Sequence, residues 1–204
     1  MSKIAILADI HLGHKRGPGL EWALDAVARA VEDYGAEYIV ILGDLVDRRH
    51  PEAASDAARL LTACLSRAQT HFIAGNHDVL VPLELPAGVV NHGTDVHTFL
   101  LGDTTCVTAA VAEQRDNRQL FDQLPPRTGQ GPWLGLLHTS LHGEWSKNAC
   151  LPGTVDQLLA LGYDAWMLGH VHQPVVVNEQ PPIAWVGQGS MVVFDSTTRA
   201  VLNA

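Results

Sequence analysis

Cysteine is scarce in this chain of 204 residues: Cys64, Cys106 and Cys150 are odd in number and too widely spaced for a zinc knuckle or a redox pair. Buried thiols acting as small apolar side chains in a reducing compartment are expected, which points to the cytoplasm. Apolar runs of the roughly 18 residues needed to cross a bilayer are missing, and Met1-Ser2-Lys3 leads straight into a short apolar run that stops at Asp9. A soluble protein without signal peptide or membrane partner is therefore expected. Positive charge is in deficit, with 13 Lys and Arg against 22 Asp and Glu and a formal net charge of −9. Indiscriminate coating of nucleic acid is driven by counterion release from phosphates and is disfavoured by that balance, although a nuclease is not excluded. No G-x-S-x-G elbow supports a serine-hydrolase reading of His138-Thr139-Ser140, and there is no P-loop, internal repeat or low-complexity tract.

What is there, 47% hydrophobic and 17% charged residues, is the composition of one globular domain spanning 1–204. A short apolar run of strand character stops at a metal-ligating residue type five times. Ile4 to Ala8 ends at Asp9, Tyr38 to Leu42 at Gly43-Asp44, Phe72 to Ala74 at Gly75-Asn76, Leu134 to Leu137 at His138, and Ala165 to Leu168 at Gly169-His170. Between the first runs lie helical periods: Leu20, Ala23, Leu24, Val27 and Val31, then Ala53, Ala57, Leu60, Leu61, Cys64 and Ala68 after the helix-starting Pro51. A third helix is expected from a capping box of Thr154 and Gln157 to a stop at Gly162. Alternating strands and helices predict an α/β fold with parallel strands, all five ligand-type residues leaving the carboxyl edge of one sheet. His97 to Leu101 turning at Gly102-Asp103 into Thr104 to Ala110, and short strands around Val175, Trp185 and Val192, read as antiparallel pieces of a second sheet. Residues 82–86 and 125–132 are Pro- and Gly-rich loops.

In order, the chemistry-bearing residues are Asp9-x-His11, Gly43-Asp44-x-x-Asp47, Gly75-Asn76-His77-Asp78, His138 and Gly169-His170-x-His172. Any of these histidines alone would be a satisfied core or surface residue, and Asp9 or Asp44 alone a helix cap; five such motifs, each after a strand, form a strong signal. Imidazoles mixed with a few carboxylates suit borderline metals such as manganese, iron or zinc rather than magnesium or calcium. Two such cations would add about four positive charges where a phosphate must sit, acidify a water and clamp phosphoryl oxygens. Gly43, Gly75 and Gly169 allow tight backbone passage at the strand ends.

The set resembles the calcineurin-like metallophosphoesterases, and the resemblance runs from Asp9 to His172. It implies a sandwich of two mixed β-sheets flanked by helices (αββα) and two divalent metal ions, with manganese expected and iron or zinc as alternatives. Asp44 resembles the bridging carboxylate; Asp9, His11 and His172 would complete the first metal, and Asn76, His138 and His170 the second. His77 resembles the histidine that donates a proton to the leaving oxygen, and Asp47 the carboxylate that orients it and favours its protonated form. The remaining histidines, His50, His71, His92 and His97, read as structural or solvated, while His14 and His142 are worth testing at the site.

Within the superfamily, Asp9-Ile10-His11-Leu12-Gly13, the stretch from His138 to Gly143, and Leu168 to Pro174 look most like SbcD-type DNA repair exonucleases. That resemblance implies a manganese-dependent phosphodiesterase whose partner is DNA. Lys15-Arg16 and Arg48-Arg49 directly follow two metal-binding loops and either pair with flanking phosphates or are solvated loop charges. The chain runs from His172 only to Ala204, so no capping domain or ATPase-docking segment is expected and an ATPase partner is doubtful. Asp47 stands where those nucleases often carry histidine, as in the phosphatase branch. Ala74 stands where that branch carries a phosphate-gripping arginine, which favours diesters. The alternatives are a phosphodiesterase for a small diester, such as a cyclic nucleotide or dinucleotide, and a non-catalytic metal-binding scaffold.

Overall fold

The computed structural model describes residues 1–142, 145–146 and 148–204. Its strands are β1 (Lys3–Leu7), β2 (Tyr38–Leu42), β3 (Gln69–Ile73), β4 (Val90–Asn91), β5 (His97–Leu101), β6 (Thr104–Ala109), β7 (Trp133–His138), β8 (Ala165–Gly169), β9 (Val175–Glu179), β10 (Pro182–Trp185), β11 (Met191–Asp195) and β12 (Ala200–Asn203). The helices are α1 (Gly19–Glu32), α2 (Ala54–Leu65) and α3 (Val155–Ala160). Two six-stranded sheets form, in the orders β12-β11-β1-β2-β3-β4 and β5-β6-β7-β8-β10-β9. Parallel neighbours run from β1 to β4, the outer strand of the first sheet, and from β6 through β7 and β8 to β10 in the second, and antiparallel strands complete the other edge of the first sheet and both edges of the second.

The central strands read as nearly unbroken apolar runs because both of their faces are covered. Ile4, Ile6, Val40, Leu42 and Ile73 of the first sheet meet Leu101, Cys106, Leu134, Leu136 and Met167 of the second in the layer between them. On the outside of the first sheet α1 buries Ala23, Ala26, Val27 and Ala30, and α2 buries Ala57, Leu60, Leu61 and Cys64, at the three-and-four spacing that puts apolar residues on one helix face. On the outside of the second sheet α3 buries Leu158 in a cluster with Phe121, Tyr163 and Trp166. Thr154 starts that helix with a complete capping box, Thr154 Oγ1 accepting from the Gln157 amide and the Gln157 side chain accepting from Thr154 N–H. The architecture is the helix-flanked sandwich of two mixed sheets expected from the resemblance.

The arrangement corrects one expectation. The five ligand-bearing strands do not share one sheet: β1, β2 and β3 lie in the first and β7 and β8 in the second. Apolar periodicity reports that a strand is covered on both faces, but not which sheet it joins. The five carboxyl ends nevertheless meet, because the sheets present them at the same end of the sandwich; His138, the last residue of β7, reaches across to the Leu42 carbonyl at 3.3 Å.

At the edge where β4 and β5 are the outer strands, three imidazoles fasten β3 and the residue after β4 in the first sheet to β5 of the second. His71 Nδ1 lies 2.9 Å from His92 Nε2, and His92 Nδ1 lies 2.9 Å from His97 Nε2. His97 Nδ1–H donates to the Asp95 carbonyl at 2.9 Å, which sets the tautomers along the row. His92 Nδ1–H donates to His97, His71 Nδ1–H donates to His92, and His71 Nε2 remains buried without a partner. The three cysteines are free and buried. Among the described residues no helix is long and apolar enough to cross a membrane.

Candidate metal centre

After β1 and β2 the two chains continue side by side instead of diverging. The Asp9, His11 and Leu12 amides donate to the carbonyls of Gly43, Asp44 and Leu45 at 3.0, 2.9 and 2.9 Å. To hold this course, Asp9, His11 and Asp44 take φ values of 53°, 48° and 52°, and His170 after β8 takes 96°. Left-handed backbone at a non-glycine residue costs on the order of 1–3 kcal/mol and persists only where the surroundings enforce it. Here those surroundings include polar bonds between loops: the His170 amide donates to both Asp9 carboxylate oxygens, at 3.1 and 3.0 Å, and the His77 amide donates to Asp44 Oδ1 at 2.8 Å. Three glycines make room at the centre. A Cβ at Gly43 would strike the His138 ring, one at Gly75 would strike Asp44, and one at Gly169 would lie 2.5 Å from the Leu42 carbonyl. Only Gly43 of the three also needs its positive φ, so the other two serve close approach rather than turning.

Potential ligand atoms of Asp9, His11 and His172 lie within 4.8 Å of one another, and so do those of Asp9, Asp44 and His138. Asn76 Oδ1 is 3.1 Å from His138 Nε2 and 2.8 Å from His170 Nδ1. Asp44 lies between the two groups, one oxygen 3.5 Å from His11 Nε2 and the other 3.5 Å from His138 Nε2. The seven residues expected to bind metal are thus together.

The charge pattern of this cluster fits cations. Asp9 and Asp44 are buried, and among the described residues only histidines lie within ion-pair range of them. Burial pushes the Asp9 carboxyl up to about 7. Burial also works to raise Asp44, but the adjoining His138, with His11 and His77, holds it below the ordinary carboxylate range. His138 is the counterpart: burial opposes its charge, yet Asp44, Asp9 and the Leu42 carbonyl bring it up to about 9. Without a cation, the balancing positive charge falls on this one imidazole. Burial lowers His11 to about 3 and His170 to about 4, leaving both as neutral nitrogen donors. Neutral imidazoles, buried carboxylates and one amide oxygen converging on a small volume are a donor set for two divalent ions of borderline softness.

Around the cluster the expectations divide. His77, also lowered by burial, accepts from the Arg48 amide at Nδ1 (3.2 Å), so its proton resides on Nε2. The expected pairing with Asp47 is at ion-pair range and is not a direct hydrogen bond. The two side chains are 3.9 Å apart at their nearest, because Arg49 takes both Asp47 oxygens, Nε to Oδ1 at 3.0 Å and Nη2 to Oδ2 at 2.8 Å. That fork holds the Asp47 carboxyl well below its usual range and pairs the guanidinium of Arg49, which stays exposed. Lys15, Arg16 and Arg48 are exposed. His14 is half-buried, and its imidazole adds to the lowering of His172 that burial begins. His142 is exposed and lines a neighbouring apolar cleft, not the polar one over the cluster.

Some site residues are given no role by the sequence reading. Asp78 is buried, accepts from the Gly75 and Val46 amides at 2.9 and 3.2 Å, and so fixes the loop that carries Asn76 and His77. Its signal was a carboxylate directly ahead of the apolar Val79-Leu80-Val81. Ser146 Oγ, 2.9 Å from His170 Nε2, comes from a loop with no periodic pattern to mark it. Cys150 also lies near, but its thiol donates to the His138 carbonyl and is pushed up by burial, so it stays protonated. The open side is a cleft of about 440 Å³ lined by Asp44, Asn76, His77, Trp145, His170 and His172, among others.

Comparison with known proteins agrees with this geometry. The chain is 26% identical over 181 residues, 80% of its length, to the metallophosphoesterase YhaO of Bacillus subtilis strain 168, and it spans 43% of that protein. It superposes on a dimetal phosphatase from Danio rerio with a TM-score of 0.62 at 12% identity, covering 94% of this chain and 92% of the other. It also superposes on the protein TT1561 of Thermus thermophilus with a TM-score of 0.59 at 14% identity, covering 100% and 98%. At such identities these two likenesses speak for the fold alone. The sequence model of the calcineurin-like phosphoesterases matches residues 2–174, from the start of the first sheet to just past His172, and by that match the chain belongs to this family of metal-dependent phosphoesterases.

Proposed function

We propose that this chain is a two-metal phosphodiesterase that acts on DNA, with manganese as the native pair. The observation that carries the two-metal reading is the position of Asp44, which faces His11 with one oxygen and His138 with the other. Asp9, His11 and His172 would hold one ion, Asn76, His138 and His170 the other, with Asp44 shared. Two cations there supply Lewis acidity toward the phosphoryl oxygens and toward the attacking water.

The chain's own residues do the rest. The His170 amide orients the Asp9 carboxylate, the His77 amide orients Asp44, and Asn76 contributes a neutral oxygen that limits accumulated negative charge. His77 presents Nε2–H to the leaving or phosphoryl oxygen, since Nδ1 is engaged by the Arg48 amide. Arg49 and Asp47, locked together, brace the loop after β2.

DNA is favoured by the SbcD-like motifs, by the exposed Lys15, Arg16 and Arg48 on the loops after β1 and β2, and by Ala74, which offers no cation to grip a phosphomonoester. A second reading, a small diester such as a cyclic nucleotide or dinucleotide, is supported by the cleft's volume of about 440 Å³, within the range of small-ligand pockets. Side-by-side assays with manganese on labelled single- and double-stranded DNA, bis(p-nitrophenyl) phosphate and p-nitrophenyl phosphate separate them. Cleavage of DNA and diester over monoester is expected. Intact DNA with a cleaved diester overturns the DNA reading, and turnover of the monoester alone overturns the diesterase reading.

A further inference from the structure

Beside the polar cleft lies a second one of about 460 Å³ with a more apolar lining. Its walls include Leu141, Val155, Val175 and Val176, and it shares one residue with the polar cleft, Trp145. Trp145 and Val176 on its lining are 48% and 62% exposed. Exposed apolar side chains that adjoin a polar site instead of being scattered mark a binding surface.

The indole has an aromatic neighbour and a chain neighbour anchored at the centre. Behind it stands the buried Trp185, ring centroids 6.2 Å apart, whose own N–H donates to the Thr139 carbonyl at 2.9 Å. Next to it in the chain, Ser146 lies 2.9 Å from His170 Nε2. The platform is therefore one residue away from a contact to the candidate metal ligands. Among the described residues the lining of neither cleft includes a lysine or arginine, so this flank offers dispersion and ring stacking in place of charge.

From this juxtaposition we infer that Trp145 and the apolar cleft form a subsite for the planar base of a nucleoside whose sugar is esterified to the phosphate. A phosphate at the centre and a base on the indole would be engaged by one ligand at once, and the base would supply affinity that the phosphate alone lacks. Stacking of a base on an aromatic side chain is worth about 1–3 kcal/mol, and every base has a π-face, so the subsite would select nucleotides as a class and not one sequence.

This inference rests on the phosphate-ester reading above, and the test separates the two. Adenosine 5′-monophosphate and ribose 5-phosphate carry the same phosphate and sugar and differ in the base. Titration calorimetry on the manganese-loaded protein should show the nucleotide binding about tenfold more tightly than the sugar phosphate. Trp145→Ala should bring that ratio close to one, and Trp145→Phe, which keeps an aromatic face, should retain most of it. A ratio near one in the parent protein, which requires no variant, overturns the subsite. A ratio unchanged by Trp145→Ala overturns the role of the indole. Failure of both ligands to bind at all instead removes the phosphate-ester reading, and the subsite with it.

Discussion

The molecule contains two groups of imidazoles, and they are built on opposite plans. In the row of His71, His92 and His97 the ring centroids are 5.2 and 5.1 Å apart and the planes are within 22° and 17° of each other. With nitrogens 2.9 Å apart at each junction, the rings lie end to end, each handing one proton to the next. At the centre, His11 and His172 also bring nitrogens to 3.0 Å, but their centroids are only 4.6 Å apart and the planes are inclined at 60°. His138 and His170, at 83°, both turn toward Asn76 Oδ1. Rings in line satisfy each other; rings inclined to each other leave their nitrogens directed at a common space. Carboxylates make the same distinction: Asp9 and Asp44 stand among the inclined rings, whereas the row ends on a backbone carbonyl. Histidine count would not separate a clamp from a metal centre, but ring orientation does.

If this contrast is sound, variants in the two groups must diverge. The largest effect is expected from Asp44→Asn, which should lower manganese-dependent diester hydrolysis by about a thousandfold or more, because it weakens the carboxylate proposed to be shared by the two ions. Steady-state kinetics at saturating metal measure it, and activity near the parent's would break the comparison at its strongest point. His77→Ala should cost roughly a hundredfold on a diester with an alkoxide leaving group and clearly less on one that leaves as p-nitrophenolate, which needs little help from a proton donor. An equal loss on both would deny His77 that role.

The row should respond to pH rather than to metal. Burial lowers His71 to about 4 and His92 to about 3, below the ordinary histidine value, so as pH falls through about 6.5 the unfolded chain takes up protons that the folded chain refuses. The stabilisation is complete above that value and is lost on acidification toward the folded values. Urea unfolding of metal-free protein between pH 7 and pH 5 should show stability falling. The double variant His71→Leu with His92→Leu should flatten the slope by up to about 1.4 kcal/mol per pH unit for each imidazole removed. An unchanged slope would mean that these rings are not held neutral. The smallest effect is expected away from both groups: Thr154→Ala removes the cap of α3 and should cost about 1 kcal/mol in the same unfolding experiment.

Much of this was legible in the sequence, for identifiable reasons. Strand ends at Asp9, Asp44, Asn76, His138 and His170 could be found because apolar runs stop abruptly there, and the Thr154–Gln157 box because capping is local. The division of those strands between two sheets was not legible, since pairing partners are set by contacts far apart in the chain. β12 (Ala200–Asn203) escaped notice because it is a four-residue edge strand. The capture of Asp47 by Arg49 was missed for a different reason. Two residues apart, they read as a ligand-loop carboxylate and a rim cation, and only the turn after β2 brings the guanidinium back onto both oxygens. The imidazole row was hidden too: His71, His92 and His97 were read correctly as structural or solvated, but nothing in their spacing predicts that they touch.

The account depends most on two cations lying side by side with Asp44 between them. Anomalous diffraction from crystals soaked in manganese measures this directly. It should show two ions about 4 Å apart, each within bonding distance of an Asp44 oxygen, and no ion along His71, His92 and His97. A single ion, an empty centre, or density in the imidazole row would contradict it.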